Sequence, residues 1–286
     1  MLQDSFGREI NYLRLAVTDR CNLRCFYCMP ECGIDFVKQN MLLSYEEMLR
    51  LTKVGISMGI NKIRITGGEP FVRKNLMPFL GNLADIQGLN SINITTNGTL
   101  TRPHIPELKR LGVAVNLSWD TLDRETFHRI TRRDELSLVN ECFEDLMTHQ
   151  VPTKINMVVM DGENDDDIVS MAELAKHNKV EVRFLEEMPF NGSGIAVTSK
   201  WNHQRILEHL TDHFGSLQKT QSEAGQTADV YTLPGWKGSL GIIASHTRTF
   251  CGTCNRLRIT PQGQIRTCLY SAKNHNLRSK FENFQK

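Results

Sequence analysis

Long apolar runs, a charge excess of either sign, and enough cysteine to staple the fold are all missing from this chain. None of its 286 residues form an apolar stretch able to span a bilayer, and Met1-Leu2-Gln3-Asp4 opens no secretory leader. A formal net charge of +2 speaks against nucleic acid or a membrane surface as partner. Anion recognition must then come from locally clustered arginine and lysine. Eight cysteines without a secretion signal fit a reducing cytoplasm and metal ligation better than a disulfide scaffold. No HExxH pattern joins His209 and His213 to a base, so the pair reads as the polar face of a helix. Asp165-Asp166-Asp167 precedes a helix, where the dipole favours acid, and a metal site is not expected there. Trp119 and Trp201 read as packing residues.

What is present begins with ordinary globular composition, 40% hydrophobic and 23% charged, in a length suited to one large domain or two modest ones. Six of the eight cysteines fall into two clusters. One is Cys21-x-x-x-Cys25-x-x-Cys28; the other is Cys251-x-x-Cys254, followed by Cys268 after thirteen residues. Each offers three close thiolates. A structural zinc site fills four tetrahedral positions, whereas an iron–sulfur cluster on three cysteines leaves one iron open to a non-protein ligand. The alternative at the first cluster is a zinc knuckle completed by Cys32, in a zinc-stabilised binding module. Cys142, with Leu138 and Leu146 on one helical face, reads as a buried apolar thiol.

Strand-like and helical stretches alternate through the first two thirds of the chain. Expected strands are Tyr12–Thr18, Lys62–Thr66, Ser91–Thr95, Val113–Ser118, Thr153–Val159 and Val180–Leu185. Ser44 and Glu47 form a capping box opening a helix whose stripe is Met48, Leu51 and Met58, with Gly59 placed to end it. Such repetition predicts an α/β fold of parallel strands: a partial (β/α)6 TIM-like barrel, with an open doubly wound sheet as the other arrangement. Either puts the active site at the carboxyl ends of the strands. The cysteine loop, Gly67-Gly68-Glu69-Pro70, Asn97-Gly98, Ser118 to Asp120 and Glu186-Glu187-Met188-Pro189 all fall there. The expected domains are 1–190, the barrel, and 191–286, a smaller C-terminal α+β subdomain. The latter combines a helix near His203–His213 with short antiparallel strands at Val230–Leu233, Ser239–Ile243 and Leu257–Thr260.

The first cysteine motif, with Tyr27 before its last cysteine, resembles that of the radical S-adenosylmethionine superfamily. Gly67-Gly68-Glu69-Pro70 is similar to that superfamily's second motif, where a Cβ would block close backbone approach. Phe250-Cys251-Gly252-Thr253-Cys254-Asn255-Arg256-Leu257-Arg258 with Cys268-Leu269 resembles the C-terminal signature of the GTP 3′,8-cyclase family. Phe6-Gly7-Arg8, Tyr12-Leu13-Arg14, Thr18 to Asn22 and Lys154-Ile155-Asn156 match as well, so the likeness runs from about Phe6 to Tyr270.

The resemblance implies two 4Fe–4S clusters, on Cys21, Cys25 and Cys28 and on Cys251, Cys254 and Cys268. It implies S-adenosylmethionine contacts at Tyr27, Gly68, Ser118 and Met188, and GTP contacts at Arg14, Arg64, Thr95, Lys154, Arg256 and Arg258. Converging cations suit a nucleoside triphosphate, because arginine forks bind phosphate oxygens bidentately. The implied reaction is the first step of molybdenum cofactor biosynthesis, in which ribose C3′ loses hydrogen and closes on guanine C8, with both clusters facing one chamber. A flavodoxin- or ferredoxin-like electron donor, a homodimer and delivery of the product to cyclic pyranopterin monophosphate synthase are further expectations of the family. Members usually continue to a Gly-Gly tail; this sequence stops at Asn283-Phe284-Gln285-Lys286, so an impaired, shortened relative is a further expectation. Cys32 is expected as a free thiol near the cluster loop.

Overall fold

The computed structural model describes residues 1–30, 32–188, 200–221, 225–247, 251–269 and 274–277. Six strands run in parallel and in chain order: β1 (Tyr12–Ala16), β2 (Lys62–Thr66), β3 (Ser91–Thr96), β4 (Ala114–Ser118), β5 (Thr153–Val159) and β6 (Glu181–Glu186). A doubly wound sheet would reverse its strand order at a switch point. This order never reverses, and the expected partial barrel is what forms.

The crossovers carry α1 (Tyr45–Ser57), α2 (Leu76–Ala84), α3 (Ile105–Arg110), α4 (Arg124–Thr131) with α5 (Leu136–Thr148), and α6 (Ile168–His177). Helix α1 starts at the expected capping box: Ser44 Oγ accepts from the Glu47 amide, and Glu47 accepts from the Ser44 amide. Met48 and Leu51 are buried as expected, but Met58 is 43% exposed at the cap. The helix ends one residue before its last apolar position can turn inward, because Gly59 takes φ +106°. On α5, Cys142 and Leu146 are buried, whereas Leu138 faces outward; Val139 takes the inward place. A spacing of four from Leu138 overshoots the narrow stripe by enough to miss it. Two apolar clusters fill the layer between helices and sheet, one around Leu15, Ile65 and Phe79, the other around Leu117, Ile155 and Phe184.

The C-terminal segments differ from expectation in one respect. Helix α7 (His203–Phe214) stands where it was predicted, as do β8 (Asp229–Thr232), β9 (Ser239–Ile243) and β10 (Arg256–Ile259), joined by β7 (Gln218–Lys219), β11 (Gln264–Arg266) and β12 (His275–Asn276). They were expected as antiparallel strands, yet β9 pairs parallel to β6 and β10 pairs parallel to β1. Only their outer partners, β8 and β11, are antiparallel to them. Both free edges of the six-stranded barrel sheet are thereby covered, and one twelve-stranded sheet results. The expected boundary at 190/191 lies outside the described residues.

Candidate active site

The inward face of the sheet is polar, the reverse of an ordinary barrel core. Along β1, β2, β5, β6 and β10, charged residues alternate with buried aliphatic ones, so each strand points cations to one side and apolar groups at the helices. Registration stacks them: Arg258 opposes Arg14, which opposes Arg64, which opposes Asn93. A second row joins Thr95, Asn116, Lys154 and Glu181. These rows wall a cavity of about 610 Å³, whose lining holds seven cations (Arg14, Lys62, Arg64, Lys154, Arg183, Arg256, Arg258) and one carboxylate, Glu181.

Glu181 accepts from Lys154 Nζ at 2.7 Å and pairs with Arg183. Five of the cations remain without that carboxylate. Burial pushes Arg258 down to about 9 and Arg64 down to about 10, and nearby Arg14 lowers both further. Both stay charged at neutral pH. Among the described residues, Arg14 Nε, Arg64 Nε and Thr95 Oγ1 are buried with no hydrogen-bond partner. A buried, like-charged cluster with orphaned donors calls for a polyanion.

Of the six expected nucleotide residues, Arg14, Arg64, Lys154, Arg256 and Arg258 line this cavity; Thr95 shares the inward face of β3 with Asn93, which does. Cys251, Cys254 and Cys268 line it too, on the 3₁₀ turn Cys251–Thr253 before β10 and on the turn after β11. Arg183 and Lys62 were not singled out from sequence, and Asn156 entered only as part of the matching segment Lys154-Ile155-Asn156. Their signal was available: a charged or amide residue at every second position of a strand expected to be buried on both faces.

The first cysteine loop lies after β1, apart from that cavity. Backbone from two other connections ties it down: Arg24 N donates to Thr131 O (2.9 Å), Phe26 N to Ile130 O (3.0 Å), Gly68 N to Thr18 O (2.8 Å) and Glu69 N to Arg20 O (2.8 Å). A Cβ on Gly68 would sit 2.2 Å from Arg20 O, and one on Gly67 2.5 Å from Thr18 O. Close approach is thus required by the chain's own loop. Arg132, held at φ +56°, donates from Nη1 to Arg24 O and Met29 O. Asn97 Nδ2 lies 3.8 Å from Cys21 Sγ and also donates to Asn22 Oδ1.

Burial raises the Cys21 thiol and raises Cys25 well above the ordinary range. Such thiols lose their protons only to a metal that replaces the charge. Among the described residues no three His, Cys, Asp or Glu side chains converge on a single ion, and Cys32 is exposed with Sγ near only Gly33 O. Three thiols on one pinned loop suit a larger inorganic cluster, which spreads its ligands further apart.

Tyr27 and Ser118 meet beside Cys25 in a small recess of about 30 Å³ that also includes Asp120. The Tyr27 hydroxyl is already committed, donating to Asp120 Oδ2 at 2.7 Å. Burial raises Asp120 to about 6, while the Val158 amide and Tyr27 pull it back. Met188 lines the large cavity rather than this recess. Glu69, beyond the glycines, is a buried brace accepting from Asn97 N, Thr96 Oγ1 and Phe71 N. Glu186 likewise accepts from the His203, His246 and Thr247 amides. His213 is exposed, whereas His209 packs edge-on to Trp201. Among the described residues no helix is long and apolar enough to cross a membrane.

Comparison with known proteins agrees with this arrangement. Residues 15–175 match the model of the radical SAM superfamily, and residues 180–286 match Molybdenum Cofactor Synthesis C. The GTP 3′,8-cyclase of Syntrophomonas wolfei is 41% identical over 98% of this chain and 87% of its own length. That of Thermodesulfovibrio yellowstonii is 40% identical over 95% and 85%. Molybdenum cofactor biosynthesis protein 1 of Homo sapiens is 39% identical over 97% of this chain and 44% of that protein. Streptococcus suis SuiB bound to S-adenosylmethionine shares the fold with a TM-score of 0.72 at 15% identity, covering 97% of this chain and 64% of that one. A pinned three-cysteine loop at the mouth of a partial barrel, matched over its whole length by relatives at such identity, places this chain in the radical SAM superfamily and, within it, in the GTP 3′,8-cyclase family.

Proposed function

We propose that this protein cyclises GTP to (8S)-3′,8-cyclo-7,8-dihydroguanosine 5′-triphosphate, the first step of molybdenum cofactor biosynthesis. The observation that carries the reading is the cavity with seven cations, one carboxylate and the second cysteine trio in a single lining.

Cys21, Cys25 and Cys28 would hold a 4Fe–4S cluster with S-adenosylmethionine, and Cys251, Cys254 and Cys268 a second cluster at the cavity wall. When bound, the first cluster with S-adenosylmethionine would supply the radical chemistry by which ribose C3′ loses hydrogen and closes on guanine C8. The chain's own residues bind, orient and exclude water. Arg14, Arg64, Arg256 and Arg258 would take the triphosphate, with Thr95 and Lys154 on the adjoining row. The orphaned groups Arg14 Nε, Arg64 Nε and Thr95 Oγ1 are preorganised, so binding satisfies them rather than reorganising them. Tyr27, Gly68, Ser118 and Met188 would contact S-adenosylmethionine, Tyr27 through its ring or backbone because its hydroxyl faces Asp120.

We assign 1–190 to the barrel and 191–286 to the segment carrying the second trio. A one-electron donor protein, a homodimer, a cytoplasmic location and delivery of product to cyclic pyranopterin monophosphate synthase complete the reading. The test is an anaerobic incubation of reconstituted protein with dithionite, S-adenosylmethionine and GTP, followed by mass spectrometry. Joint formation of 5′-deoxyadenosine and a GTP isomer supports it; 5′-deoxyadenosine without any isomer would mean a different substrate.

A further inference from the structure

The outer side of the first cysteine loop carries a surface recess of about 520 Å³ lined by Arg24, His128, Arg129, Arg132 and Arg133, with no carboxylate in its lining. It is separate from the internal cationic cavity, with which it shares no residue. Arg24, Arg132 and Arg133 direct guanidinium donors to backbone carbonyls, and among the described residues none of the three forms an ion pair with a carboxylate. Arg129 alone among these, within the described residues, meets a carboxylate, Glu163 at 2.8 Å. The nearby acid Asp134 is committed to Arg124.

Two features tie this patch to the first trio. Arg24 lies between Cys21 and Cys25, and Arg132 grips the loop at Arg24 O and Met29 O. Cys28 itself is exposed. A third feature favours a protein over a free anion. Arg24 and Arg20 both lie over the Phe36 ring, at 5.7 and 5.9 Å, in a segment that also exposes Ile34. Arginine, aromatic and aliphatic surface in one patch is the composition of a protein interface.

We propose that this arginine patch is the docking surface for an acidic one-electron carrier protein, which rests on the functional reading above. The docked carrier loses one electron, the first cluster gains it, and no proton or bond changes. Complementary charge would guide the encounter and make it salt-dependent. Arg132 is left out of the test because it holds the loop.

The test titrates anaerobic holoenzyme with an acidic flavodoxin by calorimetry, at about 50 and 300 mM salt. Expected is binding that weakens with salt, about tenfold weaker in Arg133→Glu and about threefold weaker in Arg133→Gln, and unchanged in the remote Lys53→Glu. Formation of 5′-deoxyadenosine driven by dithionite should stay within about twofold of the parent in Arg133→Glu, while the flavodoxin-driven rate falls with the affinity. Equal affinity in all variants, or no flavodoxin binding to the parent, overturns the proposal. So does inorganic phosphate titrating the patch in place of flavodoxin, which would make it a small-anion site. Failure of dithionite to yield 5′-deoxyadenosine would sink the functional reading instead, while the calorimetric affinities still decide the docking surface.

Discussion

In the first cysteine trio the loop is held by amides and carbonyls of two other connections and by the Arg132 guanidinium, with two of its three thiols half-buried. In the second, Cys251 and Cys268 are exposed and Cys254 half-buried on short turns at the sheet edge. Among the described residues it is supported by Arg8 Nη1 donating to Cys251 O, Cys254 N to Cys251 O, Tyr12 N to Asn255 O and Asn255 Nδ2 to Asn11 Oδ1. The first is built into a frame of the chain's own hydrogen bonds. The second takes its place from β10 lying parallel to β1, and it faces the cationic cavity rather than the loop network. Making a reactive species needs a fixed cradle, while turning a substrate needs ligands at the wall of its own cavity.

That difference predicts a split on mutation. Cys25→Ala should abolish 5′-deoxyadenosine and product together, by on the order of a thousandfold or more, because the cofactor carries the chemistry. Cys254→Ala should retain 5′-deoxyadenosine and lose the GTP isomer; if it loses both equally by mass spectrometry, the division of labour is wrong. Next in size, Arg258→Ala should weaken GTP binding about a hundredfold, about 2.7 kcal/mol, by equilibrium dialysis. The same variant should melt no lower than the parent without nucleotide, since it removes a buried like charge that Arg14 and Arg256 oppose.

Arg132→Ala removes two bonds to the first loop and should cost about 1–3 kcal/mol there. Iron bound by Cys21, Cys25 and Cys28 should then leave faster on chelator challenge, with the second trio unaffected; equal loss from both would refute the role of the clamp. The remaining effect concerns pH. Burial raises Glu69 to about 7, against three bonds that favour its ionised form. Its folded value lies above its unfolded one, so the native state binds more protons between them. This contribution is complete below about 4.5 and is lost as pH rises through about 7, a change of at most about 3 kcal/mol. Melting temperature should therefore decline across that window in the parent, and more shallowly in Glu69→Gln.

Much of this was legible in the residues. The six barrel strands fall within two residues of their expected ends, because alternating β-branched and polar residues bounded by turns leave few other conformations. The capping box at Ser44 and Glu47 involves atoms three residues apart, and local patterns of that length survive folding. Met58 and Leu138 were misplaced because a helix's rotation about its axis is set by what it packs against.

The thiol spacings and the cation-bearing strands are properties of the chain alone, since ligand type and period-two alternation need only covalent geometry and local sterics. That β9 and β10 would close both edges of the barrel sheet was decided by tertiary structure. So was the gathering of Arg183, Lys62 and Asn156 with the matched arginines, and the burial that lowers the proton affinity of Arg64 and Arg258. Strand pairing over such long separations depends on which hydrogen-bonding edges remain unpaired once the first six strands have formed, and burial depends on every neighbour at once.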